Sequence, residues 1–185
     1  MSKRGFTIVE LLIVIVVIAI LASISVVAYN GIQNRASDVA VRAGVDSYVK
    51  ALYRWNAETG QRPVGGWSST TAIGSGENCV DGSGGWTASG SYACSIEDIL
   101  RSKNLVPANY TRSLPNNTIY SPGTTDGRFT LMFYACGTAG RYALYYHLRA
   151  PTAQDSSDVA AAESLGCTTA PRTNYGMRGA KVINL

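Results

Sequence analysis

The chain has 185 residues, a length that suits one compact domain with one additional element and is too short for two ordinary domains. Its formal net charge is +4, from 16 basic and 12 acidic residues. Lys3 and Arg4 supply two of the positive charges, so the chain from Phe6 onward carries only +2 and lacks the strong charge footprint of a nucleic-acid-binding protein.

Only 15% of the residues are charged, whereas glycine occurs 19 times, and Gly, Ser and Thr are concentrated between Gly65 and Ser95. This composition is typical of loop-rich β structure outside the cytoplasm. We therefore expect residues 59–185, termed the head, to form one extracellular globular unit that begins with a long loop region.

The most informative segment is the uncharged run Leu11–Ala28, LLIVIVVIAILASISVVA. As a helix, these 18 residues span about 27 Å, which is close to the thickness of a bilayer core. A buried strand is disfavoured because strands seldom exceed about ten residues. Since Lys3 and Arg4 precede the run, the positive-inside rule places the N-terminus in the cytoplasm and the chain after about Asn30 outside.

Two features separate this segment from an ordinary secretory signal peptide. Residues 19–23 loosely imitate a small-residue cleavage site, but the apolar run continues beyond them to Ala28. In addition, Glu10 interrupts the apolar segment that starts at Phe6. A charge at membrane depth costs about 3 kcal/mol, so Glu10 needs either a partner or a position near the lipid headgroups that tolerates it.

The stretch KRGFTIVELLIVIVVIAIL closely resembles the class III signal of type IV prepilins and type II pseudopilins. The resemblance lies in Lys3, Arg4 and Gly5, then Phe6, then Glu10 and the apolar run, and it covers about the first third of the chain. In that family a prepilin peptidase cuts after the glycine and N-methylates the new first residue. The resemblance thus implies a leader of residues 1–5, cleavage between Gly5 and Phe6, and an N-methylphenylalanine at Phe6.

The same resemblance implies a role for Glu10 in methylation and assembly. Cleavage frees an α-amine at Phe6, and the Glu10 carboxylate of one subunit can neutralise the Phe6 amine of a neighbour inside an apolar filament core. A subunit in the wrong register would leave a buried charge unpaired.

The apolar run continues into an amphipathic segment that no proline interrupts before Pro63. Apolar residues recur there at helical spacing: Val41, Val45, Tyr48, Leu52 and Trp55. On the opposite side, Asp38 with Arg42 and Asp46 with Lys50 form i, i+4 pairs that predict a solvated face. We expect one helix from Phe6 to about Glu58, with residues 6–29 spanning the membrane or forming a filament core and residues 30–58 amphipathic; Gly31 and Gly44 are its weak points.

The head is predicted to be a small antiparallel sheet packed on this helix, giving an α+β, type IV pilin-like fold. The runs Arg128–Cys136 and Arg141–Arg149 form a predicted hairpin, and Ala180–Leu185 a last strand. The segment IEDILRSKNL is a predicted short helix with Ser95 as its N-cap. The segment DSSDVAAAESL fits either a short helical turn or a loop.

Four cysteines, Cys79, Cys94, Cys136 and Cys167, lack metal-binding spacings and indicate two disulfides outside the cytoplasm. Three pairings are open. We favour Cys79 with Cys94 and Cys136 with Cys167, because each closes a local loop.

The sequence offers little for catalysis or for cofactor binding. His147 is the only histidine and lies in a predicted strand, so a structural role is favoured over a catalytic one. Asp126, Asp155 and Asp158 invite comparison with the calcium sites of some pseudopilins, but no EF-hand spacing exists and no metal site is predicted. No Walker pattern is present, and we expect a non-enzymatic protein without a cofactor.

The predicted function is that of a pilin, a structural subunit that polymerises into a type IV pilus or related surface filament. Its expected partners are copies of itself, the prepilin peptidase, the pilus assembly platform and, before assembly, the cytoplasmic membrane, which it crosses once. DNA is a partner for which the sequence gives no support. The alternatives are a type II secretion pseudopilin, a minor DNA-uptake pilin, and a membrane-anchored binding module that does not polymerise.

Overall fold

The computed structural model describes residues 7–62, 84–86, 96–107, 110–115, 131–137 and 140–185. Gly5, Phe6, Ser95, Asp126, and the favoured pairing of Cys79 with Cys94 lie outside these residues. The described elements follow one another in the order α1 (Ile8–Thr59), β1 (Gly84–Trp86), α2 (Ile96–Ser102), α3 (Tyr110–Ser113), β2 (Leu131–Ala135), β3 (Arg141–Tyr146), α4 (Ala153–Ser164), α5 (Ala170–Tyr175) and β4 (Gly179–Asn184).

Helix α1 is a single helix of 52 residues, about 78 Å long at the usual rise per residue. Thr7 caps its N-terminus, and Gly60, with φ of 67°, ends it in the left-handed conformation that glycine adopts without strain. Every residue from 8 to 33 is exposed, and we call this part the stem. The head covers α1 only from Asn34 onward, so one helix serves both as an uncovered apolar rod and as a wall of the head.

The strands form one antiparallel sheet in the order β1-β2-β3-β4. The predicted hairpin is present, since Leu131 pairs with Tyr146 and Ala135 with Tyr142. The last strand pairs with β3 from Arg141 opposite Asn184 to Tyr146 opposite Gly179. The fold is thus α+β and pilin-like, with a long N-terminal helix and a small antiparallel sheet, as the sequence predicts.

The sheet is covered on both faces, because successive side chains of a strand point to opposite sides. One face packs against α1 and α2 in a cluster that includes Val41, Val45, Tyr48, Leu52, Trp55, Ile99, Leu131, Phe133, Leu144 and Ile183. The other face packs against α4 in a cluster that includes Met132, Ala143, Tyr145, Val159, Ala162, Met177 and Ala180. The strands are therefore apolar at consecutive positions, unlike those of a half-solvated sheet.

The segment DSSDVAAAESL, for which the sequence permits a helical turn or a loop, is helical up to Ser164 and belongs to α4, a helix of 12 residues. Thr152 caps it, because its hydroxyl accepts a hydrogen bond from Asp155 N–H while the Asp155 carboxylate accepts one from Thr152 N–H. This reciprocal capping box fixes the first turn. The helix buries Val159 and Ala162 against the sheet.

The predicted solvated face of α1 is wrong at Asp38. This side chain is fully buried, and its two carboxylate oxygens accept hydrogen bonds from Arg149 N–H at 2.8 Å and Ala150 N–H at 2.7 Å. Arg42 forms an ion pair with Asp155, and the exposed Asp46 forms one with Lys181. The i, i+4 spacing permits local pairs, but the head brings tertiary partners to Asp38 and Arg42 that outcompete solvent.

Gly44 is a contact point between α1 and the head. A Cβ at Gly44 would overlap Cδ2 of Leu114, and the Gly44 carbonyl accepts a hydrogen bond from the Tyr110 hydroxyl at 2.9 Å. The ring of Tyr110 stacks on that of Tyr48 at a centroid distance of 6.0 Å. Gly31, in contrast, faces open space in the stem.

We predict that Gly44→Ala lowers the stability of the head, while Gly31→Ala leaves it unchanged. The added methyl at Gly44 must displace the buried Leu114, and such overpacking costs about 1–3 kcal/mol against a helix-propensity gain of about 1 kcal/mol. Urea denaturation of the full chain in detergent micelles, followed by the fluorescence of the buried Trp55, measures the difference. An equal midpoint for the two variants would contradict the close approach at Gly44.

Candidate functional site: the stem, its N-terminus and its junction with the head

The stem exposes a continuous apolar surface. Large aliphatic side chains from Ile8 to Ile32 stand in contact with solvent on all sides of the helix. Among the described residues, α1 is the one helix long and apolar enough to cross a membrane. Apolar patches of this size mark surfaces that lipid or other protein covers.

The two serine side chains within the apolar run donate their hydrogen bonds to carbonyl groups of the same helix. The Ser23 hydroxyl donates a hydrogen bond to the Ile20 carbonyl at 2.7 Å, and the Ser25 hydroxyl donates one to the Leu21 carbonyl at 2.8 Å. Each hydroxyl is thus satisfied within the helix, as an apolar environment requires. The stem can be buried in lipid, or against other stems, without losing a hydrogen bond to water at these positions.

Glu10 is held by the residue that caps the helix. Its Oε2 atom accepts hydrogen bonds from Thr7 N–H and from the Thr7 hydroxyl, both at 2.8 Å, while Thr7 Oγ1 accepts one from Glu10 N–H at 3.2 Å. A carboxylate offers about four acceptor positions, so this capping box leaves capacity for a further donor. The carboxylate therefore lies one helical turn from the start of α1, orientated by its own chain.

The sequence prediction did not include Thr7, although the signal was present. Thr7 and Glu10 form the Thr-x-x-Glu pattern of a capping box directly before an apolar run. The structure also begins the helix at Ile8 and not at Phe6. Thr7 itself is extended, with φ of −82° and ψ of 151°.

The junction between α1 and the head contains two buried carboxylates, Asp38 and Asp155, and the half-buried Arg42. The Arg42 guanidinium binds the Asp155 carboxylate through two hydrogen bonds, from Nε at 3.0 Å and from Nη2 at 2.6 Å. Thr152 donates two more to Asp155 Oδ2, from its N–H and its hydroxyl. Together with Asp38, this network connects α1 to the loop that joins β3 to α4 and to the first turn of α4.

Burial would raise the pKa of Asp155, but the hydrogen bonds from Arg42 and Thr152 outweigh it and hold this pKa below its ordinary value. The bond to Asp155 in turn raises the pKa of Arg42. The pair is therefore fully ionised at neutral pH and acts as a fixed electrostatic clamp.

Two further residues considered from the sequence are His147 and Asp158. His147 is buried directly after β3, and burial lowers its pKa to about 4, so it is neutral at pH 7. Asp158 accepts a hydrogen bond from Gln154. Among the residues that the structure describes, no group of three His, Cys, Asp or Glu side chains is placed to hold a metal ion.

A disulfide joins Cys136 to Cys167, which is one of the two pairings favoured from the sequence. It links the end of β2 to the segment after α4, where Gly137 N–H also donates a hydrogen bond to the Gly166 carbonyl. Both sulfur-bearing residues are buried in the cluster beneath α4. The cross-link therefore ties the second helical layer to the sheet.

Residues 1–26 match a family model, the prokaryotic N-terminal methylation motif. This motif is the class III signal peptide of type IV pilins and pseudopilins. The chain therefore has the N-terminus of a type IV pilin or pseudopilin. The match includes Glu10 and most of the stem and ends before the head. No curated protein and no solved structure matches the chain significantly.

We predict that Asp38→Asn destabilises the head by about 1–3 kcal/mol, because an amide offers one oxygen and leaves a buried N–H of Arg149 or Ala150 unpaired. The matched control is Asp46→Asn, which removes an exposed ion pair with Lys181 that contributes at most about 1 kcal/mol. Urea midpoints in micelles compare the two. A loss for Asp46→Asn equal to that for Asp38→Asn would contradict the buried role of Asp38.

We also predict a pH signature for Asp155. A carboxyl group whose folded pKa is depressed stabilises the fold above its unfolded pKa, about 3.9, and loses this contribution as the pH falls through the folded value. The stability difference between wild type and Asp155→Asn should thus be largest at pH 6–8 and shrink toward pH 2. His147 titrates in both proteins and cancels in the difference. Asp158→Asn is the control, and a difference for Asp155→Asn that is constant with pH would contradict the clamp.

Proposed function

We propose that the chain is a pilin that is cut between Gly5 and Phe6, N-methylated at Phe6, and polymerised into a type IV pilus or related surface filament. The observation that supports this most strongly is the coexistence of a methylation motif over residues 1–26 with a stem whose residues 8 to 33 are all exposed. A signal that served only for anchoring would explain the apolar helix but not the motif.

Burial of the stem is the driving force in this proposal. Burying apolar surface stabilises a protein by about 25 cal/mol per Å². Because the stem exposes apolar side chains on every side, it is most stable in an apolar environment that surrounds it completely. Before assembly this environment is the cytoplasmic membrane, with the N-terminus inside. In the filament it is a set of neighbouring stems, and the chain is then extracellular.

Glu10 selects the register of that packing. Cleavage creates an α-amine at Phe6, which carries a positive charge into an apolar core, and a Glu10 carboxylate from a neighbour neutralises it. Breaking such a buried pair costs about 3–5 kcal/mol, which is enough to reject misaligned subunits. The capping box supports this role, because Thr7 holds Glu10 in place while leaving acceptor capacity for the incoming amine.

The head contributes shape and resilience, not chemistry, in this proposal. The Cys136–Cys167 cross-link, the sheet covered on both faces and the Arg42–Asp155 clamp suit a unit exposed outside the cell. The partners proposed are the prepilin peptidase, the pilus assembly platform and further copies of the chain. No observation favours DNA uptake or type II secretion over a general filament role.

The test is the N-terminal peptide of the protein sheared from the surface of the native host, identified by mass spectrometry. A peptide that starts at N-methylated Phe6 is expected. A chain that still starts at Met1 or Ser2 and occurs only in membranes would contradict the proposal and favour a membrane-anchored binding module.

A pair of variants separates processing from assembly. Glu10→Gln keeps a hydrogen-bond acceptor for Thr7 but leaves the Phe6 amine without a counter-charge, so cleavage should persist while the filament yield falls tenfold or more. Glu58→Gln, which removes an exposed pair with Arg54, is the control and should assemble normally. Normal filament yield from Glu10→Gln would contradict a role for Glu10 in assembly.

A further inference from the structure

The end of the head that meets the stem is built from two loops. Tyr146, at the end of β3, pairs with Gly179, at the start of β4, so the chain after β3 and the chain before β4 lie at the same end of the sheet. Asp38 fixes the first of these loops on α1 by accepting the N–H groups of Arg149 and Ala150. This end of the head therefore faces whatever surrounds the stem.

Three exposed arginines gather at this end, and we call them the basal cluster: Arg35, Arg149 and Arg178. Arg149 and Arg178 line one groove of about 370 Å³, together with Asn34 of α1. Arg35 lines an adjoining groove of about 480 Å³, next to Ala150. The cluster thus combines one guanidinium from the helix with two from the loops of the head.

The carboxylates beside the basal cluster point inward. Asp38 lines the adjoining groove but is fully buried, and both of its oxygens accept backbone N–H groups. Asp155 is buried against Arg42 and Thr152. Glu163 lines a third groove with Arg178 and forms an ion pair with Arg172. Among the described residues that line the first two grooves, the exposed charged side chains are those of Arg35, Arg149 and Arg178.

The basal cluster lies at the height of lipid headgroups when the stem crosses a membrane. Arg35 follows Ala28, the last residue of the apolar run, by seven residues, or about 10 Å along the helix. The headgroup layer is about 5–8 Å thick on each side of the bilayer. Side chains of a helix also lean toward its N-terminus, which here is toward the membrane. The guanidinium of Arg35 is consequently within reach of phospholipid phosphates.

We propose that the basal cluster binds the phosphate groups of anionic phospholipids in the outer leaflet and seats the head on the membrane before assembly. The proposal rests on the membrane-stored form described under the proposed function and adds a lipid ligand to it. Arginine binds phosphate through paired N–H donors. Each basic residue next to an anionic surface strengthens binding about fivefold, so three together give a preference of about a hundredfold.

Phosphates of DNA offer the same chemistry to guanidinium groups. Lipid is favoured by position, because Arg35 belongs to the same helix as the membrane span and lies beside it. A DNA duplex would have to enter the space between the head and the bilayer to reach all three arginines. DNA is therefore an outcome of the test and not the proposed ligand.

The experiment uses the full chain in detergent micelles and measures bound lipid by native mass spectrometry during titration with phosphatidylglycerol or phosphatidylcholine. Wild type should retain phosphatidylglycerol at least about tenfold more strongly than phosphatidylcholine. The variant R35Q/R149Q/R178Q should bind the two lipids equally. Circular dichroism and the urea midpoint of each variant check that the head is folded.

The matched control is R54Q/R62Q/R141Q, which removes three positive charges at the opposite end of the head, where Arg141 pairs with Asn184. It should keep the wild-type lipid preference. Equal binding of both lipids by wild type, or equal losses in the two triple variants, would overturn the proposal. Displacement of phosphatidylglycerol by millimolar inorganic phosphate, or by a short DNA duplex that needs the same arginines, would also overturn it.

Carbonate extraction of native membranes separates this proposal from the proposed function. Retention of wild type in the pellet is expected. Release into the supernatant would contradict the membrane-stored subunit itself, whereas a retained chain without lipid preference would contradict only the basal cluster.

Discussion

The constraint on which the structure depends is that the stem cannot remain in water. Residues 8 to 33 form a helix with exposed aliphatic side chains on every side, and the only hydroxyls in the apolar run bond to the helix itself. Such a surface must be surrounded either by lipid or by other apolar helices. Glu10 is the one charged residue of this segment. In the filament that we propose, its place beside the helix start turns non-specific burial into packing with a defined register.

The second half of the same helix makes the head rigid with respect to the stem. Asp38 binds the loop between β3 and α4, Arg42 binds the first turn of α4, and Val41, Tyr48 and Leu52 enter the core. Because a helix transmits orientation along its length, fixing these residues also fixes the direction in which the head points from the stem. A subunit whose head and stem move as one body can present the same surfaces to each neighbour in a filament.

Periodicity along the chain was enough to predict α1, the hairpin of β2 and β3, and the last strand, because each depends on local spacing of apolar residues. It was not enough at Asp38. A carboxylate four residues from an arginine has the same sequence pattern whether its hydrogen bonds come from water or from the backbone N–H groups of Arg149 and Ala150. The sequence of α4 does not separate a helix from a loop, because it is rich in Ser, Asp and Ala and its stability comes from the Thr152 cap and the sheet beneath it. The capping box of Thr7 and Glu10, in contrast, depends on a local spacing that the sequence alone contains.

The central claim is that stems of neighbouring copies pack together with Glu10 of one chain against the Phe6 amine of another. Cryo-electron microscopy of filaments sheared from the native host tests it most directly. The account predicts a core made of α1 stems, in which each Glu10 carboxylate lies within about 4 Å of a neighbouring Phe6 nitrogen. A filament whose core excludes the stems, or surface preparations in which this chain forms no filament while it remains monomeric in the membrane, would contradict the account.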